Sequence, residues 1–424
     1  MYKYFIGLML CILSLTASAQ NEVEEALKMQ LTIPQAEEIF LQNNLTLIAE
    51  KQNIEISKAE IIQAKAWPNP EVGIEIAMYD NEDNIWFRTD REAQRVFEIS
   101  QMIETAGKRK KRTNVAKIEA EISEYEFYNT LRELRTELRS ELVELHYAQE
   151  KASSYLVAIE PVEKLVAVYK EQSQKGNVSK SEVVRLKALL LDARKGWLDL
   201  VQEAADIEAN IKMLLNVQAN VSLSITIPEF KPSESLPDPT LWATLAQDHR
   251  FDFKIENIRM KQSAESLALA KAEAVPDLHL GTMYDRRGAH QADYWAIQIA
   301  FDLPVWDRNK GGIQAAKIQQ EQQQVRLNEA EKNLQIDVYT AAQKLNQVRS
   351  LYEQLDPELS AEMEEVMGAV TKSYQHKQLS LLEFIDFFES YRDNLGQWYD
   401  TEMSLFQAQE NVNYTVGKDI YPIQ

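Results

Sequence analysis

The residues best suited to chemistry are few. They are the run Asp307-Arg308-Asn309-Lys310-Gly311-Gly312, the basic run Lys108-Arg109-Lys110-Lys111-Arg112 that follows Gly107, five histidines, and the carboxylates Glu383 and Asp386. A basic, glycine-bearing turn could cradle a phosphate, but the spacing is not that of a P-loop. No HExxH, GxSxG or dinucleotide fingerprint occurs, so no enzyme and no cofactor is expected. His146, His249, His279, His290 and His376 are scattered, with no pair at i, i+4, and Cys11 is the only cysteine; no metal site is expected. Glu383 and Asp386 lie three residues apart and so share one face of any helix that holds them. Their plain alternative is solvated helix surface, common in a chain with formal charge -20.

Those groups need elements to hold them, and the chain's first residues say where it goes. Residues 1–19 read as a secretory signal peptide: Lys3, an apolar run from Tyr4 to Leu15, and Ala17-Ser18-Ala19 before Gln20. Cys11 would leave with it, and Gln20 stands where a lipoprotein would carry cysteine. No later stretch is apolar enough for a membrane helix. The acidic balance argues against nucleic acid and suits a cation or a basic protein surface. With 45% hydrophobic and 26% charged residues the remainder is an ordinary folded chain.

The chain is written twice. AKAWPNPEV at 64–72 lies over AKAEAVPDL at 270–278, FEISQMIETAG at 97–107 over FDLPVWDRNKG at 301–311, and KGNVSKSEVV at 175–184 over HKQLSLLEFI at 376–385. Three matches in one order at nearly one spacing define two repeats, 20–226 and 240–424, joined by a proline-rich connector at 227–239. Each repeat is expected to open with a helix of about 35 residues, with Thr32 and Gln35 as a capping box in the first and Asp238-Pro239 as cap and first turn in the second. Strands are expected at 71–79, 95–103, 277–285 and 293–303. In the last, Trp295, Ile297, Ile299 and Phe301 face one way, and Ala296, Gln298, Ala300 and Asp302 the other. Long helices follow, with a narrow apolar seam through Ile122, Leu138, Leu142 and Leu145, and through Leu334, Val338, Ala341 and Leu345. The first, from Lys108, spans about 100 Å at about 1.5 Å per residue. Pro161 and Pro357 should kink these helices without ending them.

Strands of about ten residues with one apolar face fit the wall of a transmembrane β-barrel, and four cannot close one. Several copies must then pool their strands; three would give about twelve. Gly107, Lys108, Arg109, Asp307, Arg308, Gly311 and Gly312 would form membrane-to-periplasm joints, where cationic side chains can meet lipid headgroups. Gly311 and Gly312 would let the strand turn into the helix. Trp67, Trp295 and Trp306 suit an interfacial belt. The competing reading is a soluble periplasmic coiled-coil adaptor or scaffold whose hairpins cap a helical bundle.

The duplicated layout, the AKAWPNP helix end, QMIETAGKRK, the GNVS and KQLS turns and LPVWDRNKGG together resemble the TolC-type outer-membrane efflux channels, and the LP-x-aromatic-DRN form resembles their CzcC-like branch. The resemblance spans about residues 31–417. It implies a mainly α fold with a small β part. Duplicated long-helix coiled-coil hairpins and four transmembrane strands per protomer would build a homotrimeric 12-stranded β-barrel continuous with a periplasmic α-helical barrel. It also implies a passive export duct for metal cations or small toxic molecules, working with a periplasmic adaptor (membrane fusion protein), an inner-membrane RND-type pump and outer-membrane lipid. Gly176, Val178, Ser179, Leu379 and Ser380 would form the adaptor-docking tip, with Lys377 standing where the pattern has a second glycine. Glu383 and Asp386 would form the tunnel gate, six carboxylates favouring cations. The simpler role for Ser179 and Ser380 is to cap the returning helices.

Overall fold

The computed structural model describes residues 27–227, 238–287, 291–356 and 359–422. The expected signal peptide, most of the connector, His290 and Pro357 lie outside the described residues. In chain order the elements are β1 (Leu27–Thr32), α1 (Ile33–Asn43), α2 (Leu45–Lys65), β2 (Glu71–Ile76), β3 (Tyr79–Asp80), β4 (Ile85–Trp86), β5 (Arg95–Ile103), α3 (Lys108–Gln174), α4 (Lys180–Leu215), β6 (Val221–Thr226), α5 (Pro239–His249), α6 (Phe251–Glu273), β7 (Leu278–Arg287), β8 (Ala292–Phe301), α7 (Lys310–Tyr352), α8 (Leu359–Gln375) and α9 (Leu381–Val416). No helix among the described residues is long and apolar enough to cross a membrane.

The chain divides into two compact units, one made of Met1–Asn43, Leu138–Phe230 and Asp356–Met403, the other of Asn44–Glu137, Lys231–Leu355 and Ser404–Gln424. Each unit draws on both sequence repeats.

In the first unit β1 pairs in parallel with β6 from Leu27↔Val221 to Thr32↔Thr226. Val221, Leu223 and Ile225 are buried, whereas Ser224 and Thr226 are exposed. Side chains of neighbouring helices complete the strand's hydrogen bonds: Gln149 Nε2 donates to Leu223 O at 2.8 Å, His146 Nδ1 lies 3.0 Å from Ile225 O, and Glu208 Oε1 accepts from Leu223 N at 2.9 Å. The rest of this unit is helical, around a core that includes Leu165, Leu186, Phe384 and Phe388. Arg139, almost fully buried, is paired with Glu37.

The second unit holds a four-stranded antiparallel sheet in the order β2-β5-β7-β8. Its register sets Ile74 opposite Phe97, Phe97 opposite Tyr284, and Tyr284 opposite Trp295. Because side chains alternate across a strand, one face carries Val72, Ile74, Phe97, Ile99, Leu280, Trp295, Ile297 and Ile299, and the other carries Glu71, Glu75, Glu98, Ser100, His279, Gln298 and Ala300. The apolar face is open: Val72 is 67% exposed, Trp295 69% and Ile297 83%.

Two helix expectations need correction. The single opening helix of about 35 residues is two helices in each repeat, α1 and α2 meeting at Asn44, α5 and α6 at Arg250. Both residues are extended, φ -62° and ψ 120° against φ -69° and ψ 120°. Asn44 starts the second helix by accepting from Leu47 N at 3.0 Å, an Asn side chain competing with the helix ladder. Arg250 makes no such cap; it is held by Asp252 at 2.6 Å and Asp337 at 2.9 Å. Further on, α3 runs unbroken through Pro161, but its counterpart ends at Tyr352, and a new helix begins at Leu359. Gln354 N and Leu355 N donate to Leu351 O and Tyr352 O at 3.1 and 3.0 Å, a tightened last turn. The residue before a proline is disfavoured in helical geometry, so Asp356 supplies the reason for the stop.

Candidate functional site: helix tips and strand–helix joints

Two helix reversals lie in the first unit. After α3 the turn passes through Gly176 at φ +81°, where Gly176 N donates to Ser173 O at 3.1 Å and Asn177 N to Gln172 O at 3.0 Å. After α8 the turn passes through Lys377 at φ +59°, where Lys377 N donates to Tyr374 O at 3.0 Å and Gln378 N to Ser373 O at 2.9 Å. Both are Schellman closures. The backbone turn survives the exchange of glycine for lysine.

Ser179 Oγ accepts from Glu182 N at 3.2 Å and starts α4. At the second reversal Ser380 Oγ accepts from Glu383 N at 3.3 Å, while Glu383 Oε2 accepts from Ser380 N at 2.8 Å and from Ser380 Oγ at 2.7 Å. This is a complete capping box. The backbone hydrogen bond from Ser380, then that from its hydroxyl, holds the Glu383 carboxyl below the usual carboxylate range. Glu383 is therefore engaged in starting α9, and Asp386, one turn on, is exposed.

Val178 and Leu379 turn the other way, half-buried against the apolar cluster. Beneath them Tyr169 stacks on Tyr374 at 5.2 Å and Tyr374 on Phe384 at 4.9 Å. Gly176, Ser179, Lys377 and Ser380 stay exposed. The tips thus offer a polar, backbone-rich outer surface pinned from within by two aliphatic residues and an aromatic stack. Sequence reasoning did not reach that stack, although Tyr169 and Tyr374 lie near equivalent positions of the repeat.

The joints lie in the second unit. Between β5 and α3 the chain turns through Ala106 and Gly107, at φ +49° and +70°. Lys108 is buried, with Nζ 2.8 Å from Asp277 Oδ1, which also accepts from Thr105 N at 2.8 Å. Burial works to raise the Asp277 carboxyl, yet hydrogen bonds from Lys108 and Thr105 outweigh it and hold it below the usual range. The Arg109 guanidinium lies 3.7 Å from the centre of the Trp67 ring. Arg112 binds both oxygens of Glu104, at 2.6 and 3.0 Å.

At the second joint the turning residue is Asn309, at φ 51° and ψ 31°, with α7 starting at Lys310. The expectation that Gly311 and Gly312 make the turn is corrected: both lie inside the helix. Asparagine tolerates left-handed geometry through its short polar side chain. Asn309 N donates to Asp307 Oδ1 at 2.9 Å, and its Nδ2 reaches Ala270 O at 2.8 Å. Gly312 serves another purpose, since a Cβ there would lie 2.3 Å from Asn309 Oδ1. Arg308 Nε donates to Pro304 O at 2.9 Å. Trp306 is 93% exposed. Among the described residues no group of three His, Asp or Glu side chains could hold a metal ion.

Residues 38–217 match the family described as outer membrane efflux protein. The chain is 21% identical over 393 residues to the cobalt-zinc-cadmium resistance protein CzcC of Cupriavidus metallidurans, covering 88% of this chain and 89% of that one. Among solved structures it is similar to the Campylobacter jejuni CmeC outer membrane channel, with a TM-score of 0.77 and 14% identity over 92% of this chain and 87% of the other. It is likewise similar to the outer membrane protein VceC of Vibrio cholerae, with a TM-score of 0.72 and 14% identity over 91% and 96% of the two chains.

Proposed function

We propose that the chain, whose residues 38–217 match the outer membrane efflux protein family, is a channel of that kind, and that three copies pool their sheets into a 12-stranded barrel and act as a passive export duct. The protein is the outer-membrane channel component of an efflux system, not an enzyme. One observation carries the trimeric reading: the β2-β5-β7-β8 sheet exposes a largely apolar face and, among the described residues, leaves both edges, β2 and β8, unpaired. Lipid covers such a face but does not tolerate an open edge. Exposed apolar residues at heptad spacing, Ile318 and Val325 on α7 and Ile48 and Ile62 on α2, further favour side-by-side packing of copies. A soluble scaffold gives no role to an apolar face this open.

In this reading the tips at Gly176, Val178, Ser179, Leu379 and Ser380 dock a periplasmic adaptor that links the duct to an inner-membrane RND pump. Glu383 and Asp386 contribute carboxylates to the entrance. A joint lies at Gly107, Lys108 and Arg109, and a second at Asp307, Arg308, Gly311 and Gly312. Similarity to a cobalt-zinc-cadmium resistance protein favours divalent metal cations as cargo. A duct needs no tight binding site, because tight binding slows passage.

Single-channel recording of the purified protein in planar bilayers tests the duct. Stable conductance from a species that sizes as a trimer is expected. A monomer in detergent with no conductance overturns the reading.

A further inference from the structure

The first joint opens a cleft of about 600 Å³ lined by Lys65, Trp67, Glu104, Arg109, Lys110 and Lys117, among others. Its charge is unlike that of the chain as a whole, which is -20. Glu104, its carboxylate, accepts from both terminal guanidinium nitrogens of Arg112. Among the described residues, Lys65, Arg109, Lys110 and Lys117 have no carboxylate within ion-pair distance, so four cations converge without neutralisation. Arg109 is fixed over the Trp67 ring, and the ring itself is 55% exposed.

Position narrows the ligand. Glu104 follows directly on Ile103, the last residue of β5, Gly107 lies three residues further on, and Trp67 shortly precedes Glu71, the first of β2. The cleft therefore sits where the open apolar face of the sheet stops, with an indole at its rim, as indoles sit at membrane–water interfaces. A phosphate-bearing ligand suits the four cations. An attached apolar tail suits the adjoining face.

We propose that this cleft binds the headgroup of an anionic phospholipid, taking the phosphate between Lys65, Lys110 and Lys117, with Arg109 and Trp67 bounding it on one side. The site rests on the sheet being embedded in a membrane. It differs from a general basic girdle in being one concave place for one headgroup per protomer.

The test uses the full protein, delipidated in detergent, titrated with phosphatidylglycerol and followed by native mass spectrometry. The variant K65Q/K110Q/K117Q removes the charge, and K65R/K110R/K117R keeps it. Each cation near an anionic headgroup contributes enough that the Gln variant is expected to bind at least about tenfold more weakly. The Arg variant should bind like the native chain, and phosphatidylcholine should not distinguish the three. Equal phosphatidylglycerol affinity of the native and Gln chains overturns the site. Displacement of the lipid by inorganic phosphate at comparable concentration also overturns it, since the cleft would then be a free-anion site. Planar-bilayer conductance of the same Gln variant separates the two levels: conductance retained with lipid affinity lost supports the cleft. A native protein with no conductance removes the membrane reading and the cleft with it.

Discussion

Gly176 and Lys377 hold the same left-handed backbone, φ +81° and +59°, at the same step of two helix ends. That conformation costs a lysine about 1–2 kcal/mol, and glycine far less. Lys377→Gly should therefore stabilise the protein by about 0.5–1 kcal/mol, the strain relieved less the freedom added to the unfolded chain. Gly176→Lys should cost a similar amount. Thermal unfolding in detergent reads both, and a destabilised Lys377→Gly would show that the side chain holds the second tip by some other contact.

Gly311 and Gly312 are neighbours with opposite expectations. A Cβ on Gly311 meets nothing within 4 Å, while one on Gly312 meets Asn309 Oδ1 at 2.3 Å. Gly311→Ala should gain about 0.5–1 kcal/mol from helix propensity. Gly312→Ala should lose about 1–3 kcal/mol by displacing the Asn309 amide from Ala270 O. Similar melting temperatures for the two variants would refute this division.

The faces of β8 make a second contrast. Ile297→Lys places a charge on the open apolar face and should cost about 2–4 kcal/mol if that face meets lipid at mid-depth. Gln298→Lys, on the other face, should be tolerated. Outer-membrane abundance and oligomer size report the result. Equal tolerance of both would mean that the face is wet.

Glu383 serves the cap, so its charge can be removed without removing its hydrogen bonds. Glu383→Gln keeps a capping-box side chain, and Asp386→Asn keeps size at an exposed position. The double variant should fold normally and show reduced cation preference in reversal-potential measurements. Unchanged selectivity would leave the two residues as helix surface.

Lys108 and Asp277 predict an acid-sensitive joint. The Asp277 carboxyl is held below its ordinary value, so its contribution is present above about pH 4 and is lost as pH falls through the depressed folded value. Lys108→Met should destabilise the protein at pH 7 by about 1–3 kcal/mol. The gap between native and variant melting temperatures should then shrink below about pH 4. A gap independent of pH would assign the loss to packing alone.

Much of this was legible in the residues, because period-two alternation in Trp295, Ile297, Ile299 and Phe301 and threes and fours in the helices survive whatever packs on them. The serine caps were legible for the same local reason. The breaks at Asn44 and Arg250 were not. Arginine favours helices, and Arg250 is held extended by Asp337, far along the chain, and by the close approach of Gly417, where a Cβ would lie 3.0 Å from Arg250 N. The β1–β6 pair shows alternation in VSLSIT, but its partner strand lies about two hundred residues earlier, a distance that local pattern does not bridge. The double glycine misled because Gly is the usual left-handed residue; Asn309 took that role, and Gly312 made room for it.

The strand count has a consequence of parity. Every neighbour in β2-β5-β7-β8 is antiparallel, so β2 and β8, the first and last of four, run in opposite directions. Set beside a rotated copy, β8 meets a β2 that is already antiparallel to it, and the up–down alternation passes through the seam unbroken. An odd number of strands would force a parallel mismatch at each junction. Each half of the duplication adds two strands, so every fusion or loss of a whole half keeps the count even, and rings of such chains can close whichever number of halves one gene encodes.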